Sequence, residues 1–372
     1  MKKILFTALL FLSVAGTARA VAKTGVEESA AAETTVETAA PADDALAVRV
    51  GELEKKTTTW GKIVSNLPKI SGYAQLGYQW DDGFQWSGND LKYGSNSSFS
   101  VMSVRLSLAG DIGTKFDYKV QLEFASFKLI DAFVRYKIAP GFNLQAGQFH
   151  TNFSLEGPFG ALDMEALTYA PVVEQICTKV VDSRDIGIAA YGAAGKRNGF
   201  NLFEYSLGVF NGEGKNAKDA NKSKDIVGRI KLNPVKDLTL SGSFSYGEKG
   251  AAYVHNTRVA GGVWWHSDTF WLRSEYLGLA QKTAVATQHI DGAYVTTGYW
   301  FGHKTHCPLV RYSYVENGLS GTYVQQSEVL VGYDYKPIKN LRVQLNYSHS
   351  WFKEAAVKHH NNIVGVAVTG IF

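Results

Sequence analysis

Residues 70–80 read ISGYAQLGYQW, and the two kinds of side chain take turns. Ile70, Gly72, Ala74, Leu76, Tyr78 and Trp80 fall on one face; Ser71, Tyr73, Gln75, Gly77 and Gln79 fall on the other. A period of two marks a strand. An apolar row opposite an uncharged polar row suits a strand with lipid on one side and water on the other. A soluble sheet over a core gives the same alternation, so length and repetition must decide. The pattern predicts strands near 70–80, 98–110, 116–125, 128–138, 142–149, 184–193, 200–211, 224–233, 236–247, 256–266, 268–280, 291–301, 305–316, 325–336, 340–351 and 361–372. Most have about ten residues, enough for a tilted strand to cross a bilayer and longer than most soluble strands.

The connections carry a second signal. Tight links near 111–115, 140–141, 233–235 and 337–339 alternate with long ones at 81–97, 150–183, 212–223, 281–290 and 352–360, with one short exception near Ser126. Short turns at one end and long loops at the other distinguish an outer-membrane barrel. Residues 69–372 therefore read as an all-β, transmembrane antiparallel β-barrel of about sixteen strands. Both its ends lie on the short-turn, periplasmic side. Such a cylinder leaves no edge open in lipid only if its last strand pairs with its first. Residues 363–372, ending in Phe372, are thus expected to close it against residues 70–80.

Ahead of the barrel the period changes. Lys2 and Lys3, an apolar stretch over 4–15 and Ala18-Arg19-Ala20 have the order of a secretory signal, cleaved after residue 20. Residues 21–44 are polar and poor in anything to bury, which predicts a flexible segment. Within 45–68, the positions Leu46, Val50, Leu53, Thr57, Trp60, Val64 and Leu67 alternate spacings of four and three. That seam fits a short periplasmic coiled coil or a single amphipathic helix.

Charge changes the picture only by exclusion. Losing Lys2, Lys3 and Arg19 takes the net charge from +4 to +4 − 3 = +1, and no polybasic block remains. Nucleic acid is not an expected partner. No ligand spacing suggests a metal or cofactor, and no histidine is spaced with a serine and an acid as a hydrolase would need. Cys177 and Cys307 would meet an oxidising compartment, where a bond pinning the long third loop to the wall is allowed, although Cys307 falls near the periplasmic mouth.

Strand parity places Arg105, Lys119, Arg135, Arg229, Lys231, Arg273, Arg311 and Arg342 in the lumen, with Glu123, Asp131, Asp225, Glu275 and Asp334. Charges facing lipid would be costly, so the assignment has an energetic basis. The balance leans basic, which favours anions, unless the charges only pair across strands. Tyr73, Phe133, Trp264 and Trp271 also face inward and leave a sugar-stacking path open.

KISGYAQLGYQW, VMSVRLSLAGDI, the stretch from FDYKVQLEFASF to QFHTNFSLEG, and SRDIGIAAYG together resemble the porin O/P family of phosphate-selective porins. The resemblance implies a trimeric outer-membrane channel whose third external loop folds into the pore. It also implies arginines along the channel and lysines at the constriction, and some members carry a periplasmic coiled coil. Arg105, Asp131 and Arg184 match family positions. Loop 151–182 departs from it: Lys179 is its one basic residue, against Glu156, Asp163, Glu165, Glu174 and Asp182. Constriction candidates are thus Asp163, Glu165, Glu174 and Lys179. The terminal Phe372 resembles the signature that outer-membrane proteins show their insertion machinery.

The expected function is passive diffusion of small solutes through an outer-membrane porin, leaning to anions such as phosphate. The expected partners are outer-membrane lipid, two further copies of the chain and small anionic solutes. A non-transport barrel (a surface adhesin or a hydrolase) and a sugar-preferring or general diffusion porin are the alternatives.

Overall fold

The computed structural model describes residues 49, 51, 52, 68–88, 90–319 and 323–372. The signal, the polar segment and every position of the heptad seam lie outside the described residues; Arg49, Gly51 and Glu52 are helical.

Sixteen antiparallel strands form a closed barrel in sequence order. They are β1 (Lys69–Ser87), β2 (Asp90–Ile112), β3 (Phe116–Glu123), β4 (Lys128–Ala139), β5 (Phe142–His150), β6 (Arg184–Arg197), β7 (Phe200–Phe210) and β8 (Asp225–Val235). The circuit continues through β9 (Leu238–Lys249), β10 (Val254–His266), β11 (Phe270–Lys282), β12 (Thr287–Tyr299), β13 (His306–Asn317), β14 (Val324–Ile338), β15 (Leu341–Glu354) and β16 (Val357–Ile371). The predicted alternation holds. On β1, Tyr73 and Gln75 are 4% and 5% exposed toward the lumen, whereas Ile70 and Leu76 are 65% and 56% exposed outward.

The seam is β1 against β16, in register from Tyr73↔Ile371 to Gly83↔Asn361. Gly72 and Phe372 extend it by exchanging backbone hydrogen bonds of 2.9 and 3.0 Å. The Phe372 ring lies over Gly72, where a Cβ would sit 2.6 Å from its Cζ. Only glycine admits the ring there.

Three connections differ from expectation. Residues 81–97 are not a loop: β1 and β2 stay paired to Ser87↔Asp90. Beyond the bilayer a ribbon has no reason to alternate, so Asp81, Asp82 and the Asn/Ser run disguised it. The links at 281–290 and 352–360 likewise shrink to 283–286 and 355–356. Pro234 and Pro337 lie within β8 and β14 rather than in the turns, beside register shifts at Leu232/Val235 and Tyr335/Ile338. A strand end at a bulge does not need the missing N–H.

The third external loop, residues 151–183, enters the lumen. Within it Pro171–Glu174 form a helical turn, α1, that runs on as a wider π-type turn through Val180. Val172, Val173, Ile176 and Cys177 are buried against Leu277, Ile290 and Val315 of the inner wall. Val172 comes so close to β12 that a Cβ on Gly292 would meet its Cγ2 at 2.9 Å. The lumen face from β7 to β13 is thus apolar over part of its height, and the loop covers that patch.

Candidate pore constriction

Apolar contact alone would not fix the loop's register; wall arginines do. Arg342 donates from Nη1 to the carbonyls of Ala161 and Leu162 at 3.0 and 2.9 Å, and from Nη2 to that of Met164. Gln344 adds bonds to the carbonyls of Met164 and Glu165 at 3.0 and 2.9 Å. Arg311 reaches the carbonyl of Thr168 at 2.7 Å while paired with Glu328 at 2.8 Å. Arg273 pairs with Glu156 and Glu165 of the loop at 3.1 and 3.3 Å. Arg229 donates to the carbonyl of Ser154 at 2.9 Å. Glu275 accepts from Ser154 Oγ and Leu155 N at 2.7 and 2.8 Å.

These arginines sit on the loop-facing side of the wall, and strand parity gave no hint of their partners. Arg273, Arg311 and Arg342 are 1–3% exposed and bound to the loop, so they present little charge to a passing ion. The loop acids are altered as well. Glu165 shares Arg273 with Glu156, Glu174 pairs with Lys179 at 3.3 Å, and Asp163 accepts from Gly160 N at 2.9 Å. Arg258 and Gln344 went unread in the sequence. Parity with Trp264 on β10 could have found Arg258, which is buried over the Phe153 ring at 4.5 Å and bonded to Ser245 Oγ.

The opposite wall is arranged differently. A cavity of 210 Å³ lies between the loop tip at 158–163 and the inner faces of β1 to β6. Arg105, Lys119 and Arg184 line it with Tyr73 and Asp131. The tip abuts Arg105: a Cβ on Gly160 would lie 3.6 Å from its Nη1. Each cation has a carboxylate on the strand behind it. Arg105 pairs with Glu123 at 3.1 Å, and Asp131 holds Lys119 at 3.0 Å and Arg184 at 2.8 Å. Arg135 pairs with Asp117 at 2.8 Å nearer the periplasmic mouth.

These pairs are unequal in exposure. Lys119 is 34% exposed against 6% for Asp131, and Arg135 is 37% exposed against 13% for Asp117. In these two pairs the cation is the more exposed member; Arg105 follows at 19% against 8% for Glu123, while Arg184 and Asp131 are both buried. At short range a solute meets the nearer charge more strongly, since the interaction falls with distance. Lys231 has no carboxylate within ion-pair distance among the described residues and lines a separate 380 Å³ cavity with Arg229 below the loop.

A disulfide is not formed. Cys177 and Cys307 are both free and buried. Cys177 faces the apolar wall beneath the loop, and Cys307 accepts from Trp271 Nε1 at 3.4 Å near the periplasmic end of β13. Ala166 of the loop reaches the apolar cluster around Cys307, but Cys177 packs in a separate one. The four inward aromatics do not form a continuous path either: Trp271 packs with Cys307, Tyr73 with Ser103, and Trp264 with Phe159 and His266.

A sequence model described as phosphate-selective porin O and P matches residues 73–263, just over half of the chain. The chain belongs to that family. It is an outer-membrane porin, and family and fold together point to a channel rather than an enzyme. The solved structures it is similar to include an anion-selective porin from Comamonas acidovorans, at 14% identity and a TM-score of 0.57, covering 82% of this chain and 99% of that one. The outer membrane channel DcaP of Acinetobacter baumannii shares 12% identity with a TM-score of 0.60, covering 82% and 97%. OmpF of Salmonella typhi shares 12% with a TM-score of 0.54, covering 82% and 98%. Identities this low support the shared fold. No curated protein sequence matches the porin.

Proposed function

We propose that this porin passes small anions, phosphate among them, by diffusion through the gap between the loop tip and the β1–β6 wall. The observation that carries this reading is the inequality of the ion pairs in that gap and, for Arg135, nearer the periplasmic mouth. Arg105, Lys119 and Arg135 turn their charge to the water while Glu123, Asp131 and Asp117 lie behind. In a narrow passage such charges are screened less than on an open surface, so a few of them bias which ions enter. Because every one is paired, the bias is modest. The loop's single lysine is paired with Glu174, so no lysine ring supports strong phosphate selectivity.

The test is a reversal potential across a chloride or phosphate gradient in a planar bilayer. We expect anion preference in dilute salt that fades at high salt. Arg105→Ala with Lys119→Ala should lower it and Asp163→Ala should raise it. Cation preference in the unmodified channel refutes the reading. The heptad seam, the family and a trimeric outer-membrane protein of Vibrio cholerae with the same fold support a homotrimer. We expect a trimer by light scattering in mild detergent, still assembled but less heat-resistant without residues 21–68. The signal over 1–20 would be removed on export and Phe372 would be presented to the insertion machinery.

A further inference from the structure

A second cavity, of 170 Å³, lies between the loop and the outer halves of β1, β14, β15 and β16. It shares no lining residue with the gap beside Arg105. That volume accommodates on the order of ten waters. Its composition is unlike that of the gap. Trp86 and Phe352 meet edge to face at 6.2 Å and form an aromatic wall. The indole is held in place, because its Nε1 donates to Gln326 Oε1 at 2.6 Å while Gln326 Nε2 donates to Ser350 Oγ at 3.1 Å.

The charges here are already matched. Glu328 is held by Arg311 at 2.8 Å and Glu174 by Lys179 at 3.3 Å. The rest of the polar lining consists of amides and hydroxyls. A simple anion would find the cations here, Lys179 and Arg311, already committed to carboxylates. A neutral ring carrying hydroxyls would meet an aromatic wall for its C–H face and amides for its edges.

We infer that this cavity is an external subsite for a small neutral polyhydroxylated solute, of the size of a single sugar ring. It would hold the solute in the outer vestibule, beside the anion path, so its success or failure is independent of the anion reading. The channel would then serve two chemical classes.

The experiment titrates D-glucose, and separately D-gluconate, against the chloride current of the full chain in a planar bilayer. Glucose added from the loop side should give a saturable drop in current with added noise, and gluconate should act more weakly. Trp86→Ala should raise the half-blocking concentration about tenfold, the loss of one good contact in a binding equilibrium. Gln326→Leu, which keeps the side chain's bulk, should raise it in the same direction. Each variant is first shown to be folded by its heat-dependent gel shift. A merely linear, viscosity-like decline with glucose, equal or stronger action of gluconate, or full retention of the block in the folded variants overturns the assignment. The glucose and gluconate comparison on the unmodified channel decides it even where a variant fails to insert.

Discussion

Arg342 is the side chain on which the loop position depends most. Its guanidinium spans Asp334, at 2.8 Å from both Nε and Nη2, and the carbonyls of Ala161, Leu162 and Met164. Consider Arg342→Ala. A hydrogen bond from a charged donor contributes about 1.5–3 kcal/mol net, and bonds that share one guanidinium do not add, so about 3 kcal/mol is a fair figure for the three loop bonds. At about 1.4 kcal/mol per decade, that raises the population of channels with a detached loop tip roughly 150-fold. The other half of the damage falls on the wall. Asp334 is fully buried and would keep only Lys336, at 3.7 Å, so breaking this pair costs about 3–5 kcal/mol of barrel stability. Single-channel recording should show flicker and a larger mean conductance, and the gel shift should occur at lower temperature. Adding Asp334→Asn should restore much of the melting temperature, because no buried charge is then left alone, while the flicker persists. Unchanged noise and conductance in folded Arg342→Ala channels would refute the idea that this residue holds the loop.

Deleting residues 363–372 should abolish membrane-inserted, heat-modifiable protein, since β1 would lose its partner from Tyr73 to Asp81; normal yield would contradict the seam. Gly72→Val should lower the gel-shift temperature by displacing the Phe372 ring, and a variant melting like the parent would count against that contact. Burial pushes the Cys177 thiol up to about 12, and Cys307 is fully buried, so a maleimide should label neither in the folded barrel and both after denaturation. Two missing thiols in the denatured chain would reveal a bond instead.

Strand order and closure were legible in the sequence because lipid enforces them. On β1 and β11 every second residue must tolerate hydrocarbon, and that demand leaves a period of two. What was not legible obeys no such constraint. Past Asp81 the β1–β2 ribbon has no lipid to face on its outer side, so its polar residues resemble a loop. The loop partners of Arg311 and Arg342 are mostly backbone carbonyls of residues 161–168, and a carbonyl has no signature in the side-chain sequence. Spacing likewise could not show that Cys177 and Cys307 lie on different levels of the lumen.

The seam between β1 and β16 also has a consequence in time. Every other neighbouring pair in the cylinder is consecutive along the chain, so hairpins can form as the polypeptide arrives. Tyr73 must wait for Ile371, and no closed wall exists until the final strand has been made. Loop closure grows costlier with the length enclosed, and this closure encloses nearly the whole domain. During that interval the growing sheet carries two bare edges. The slowest and most exposed step in assembling this porin is therefore set by the pairing of β1 with β16, and whatever escorts it through the periplasm must outlast that delay.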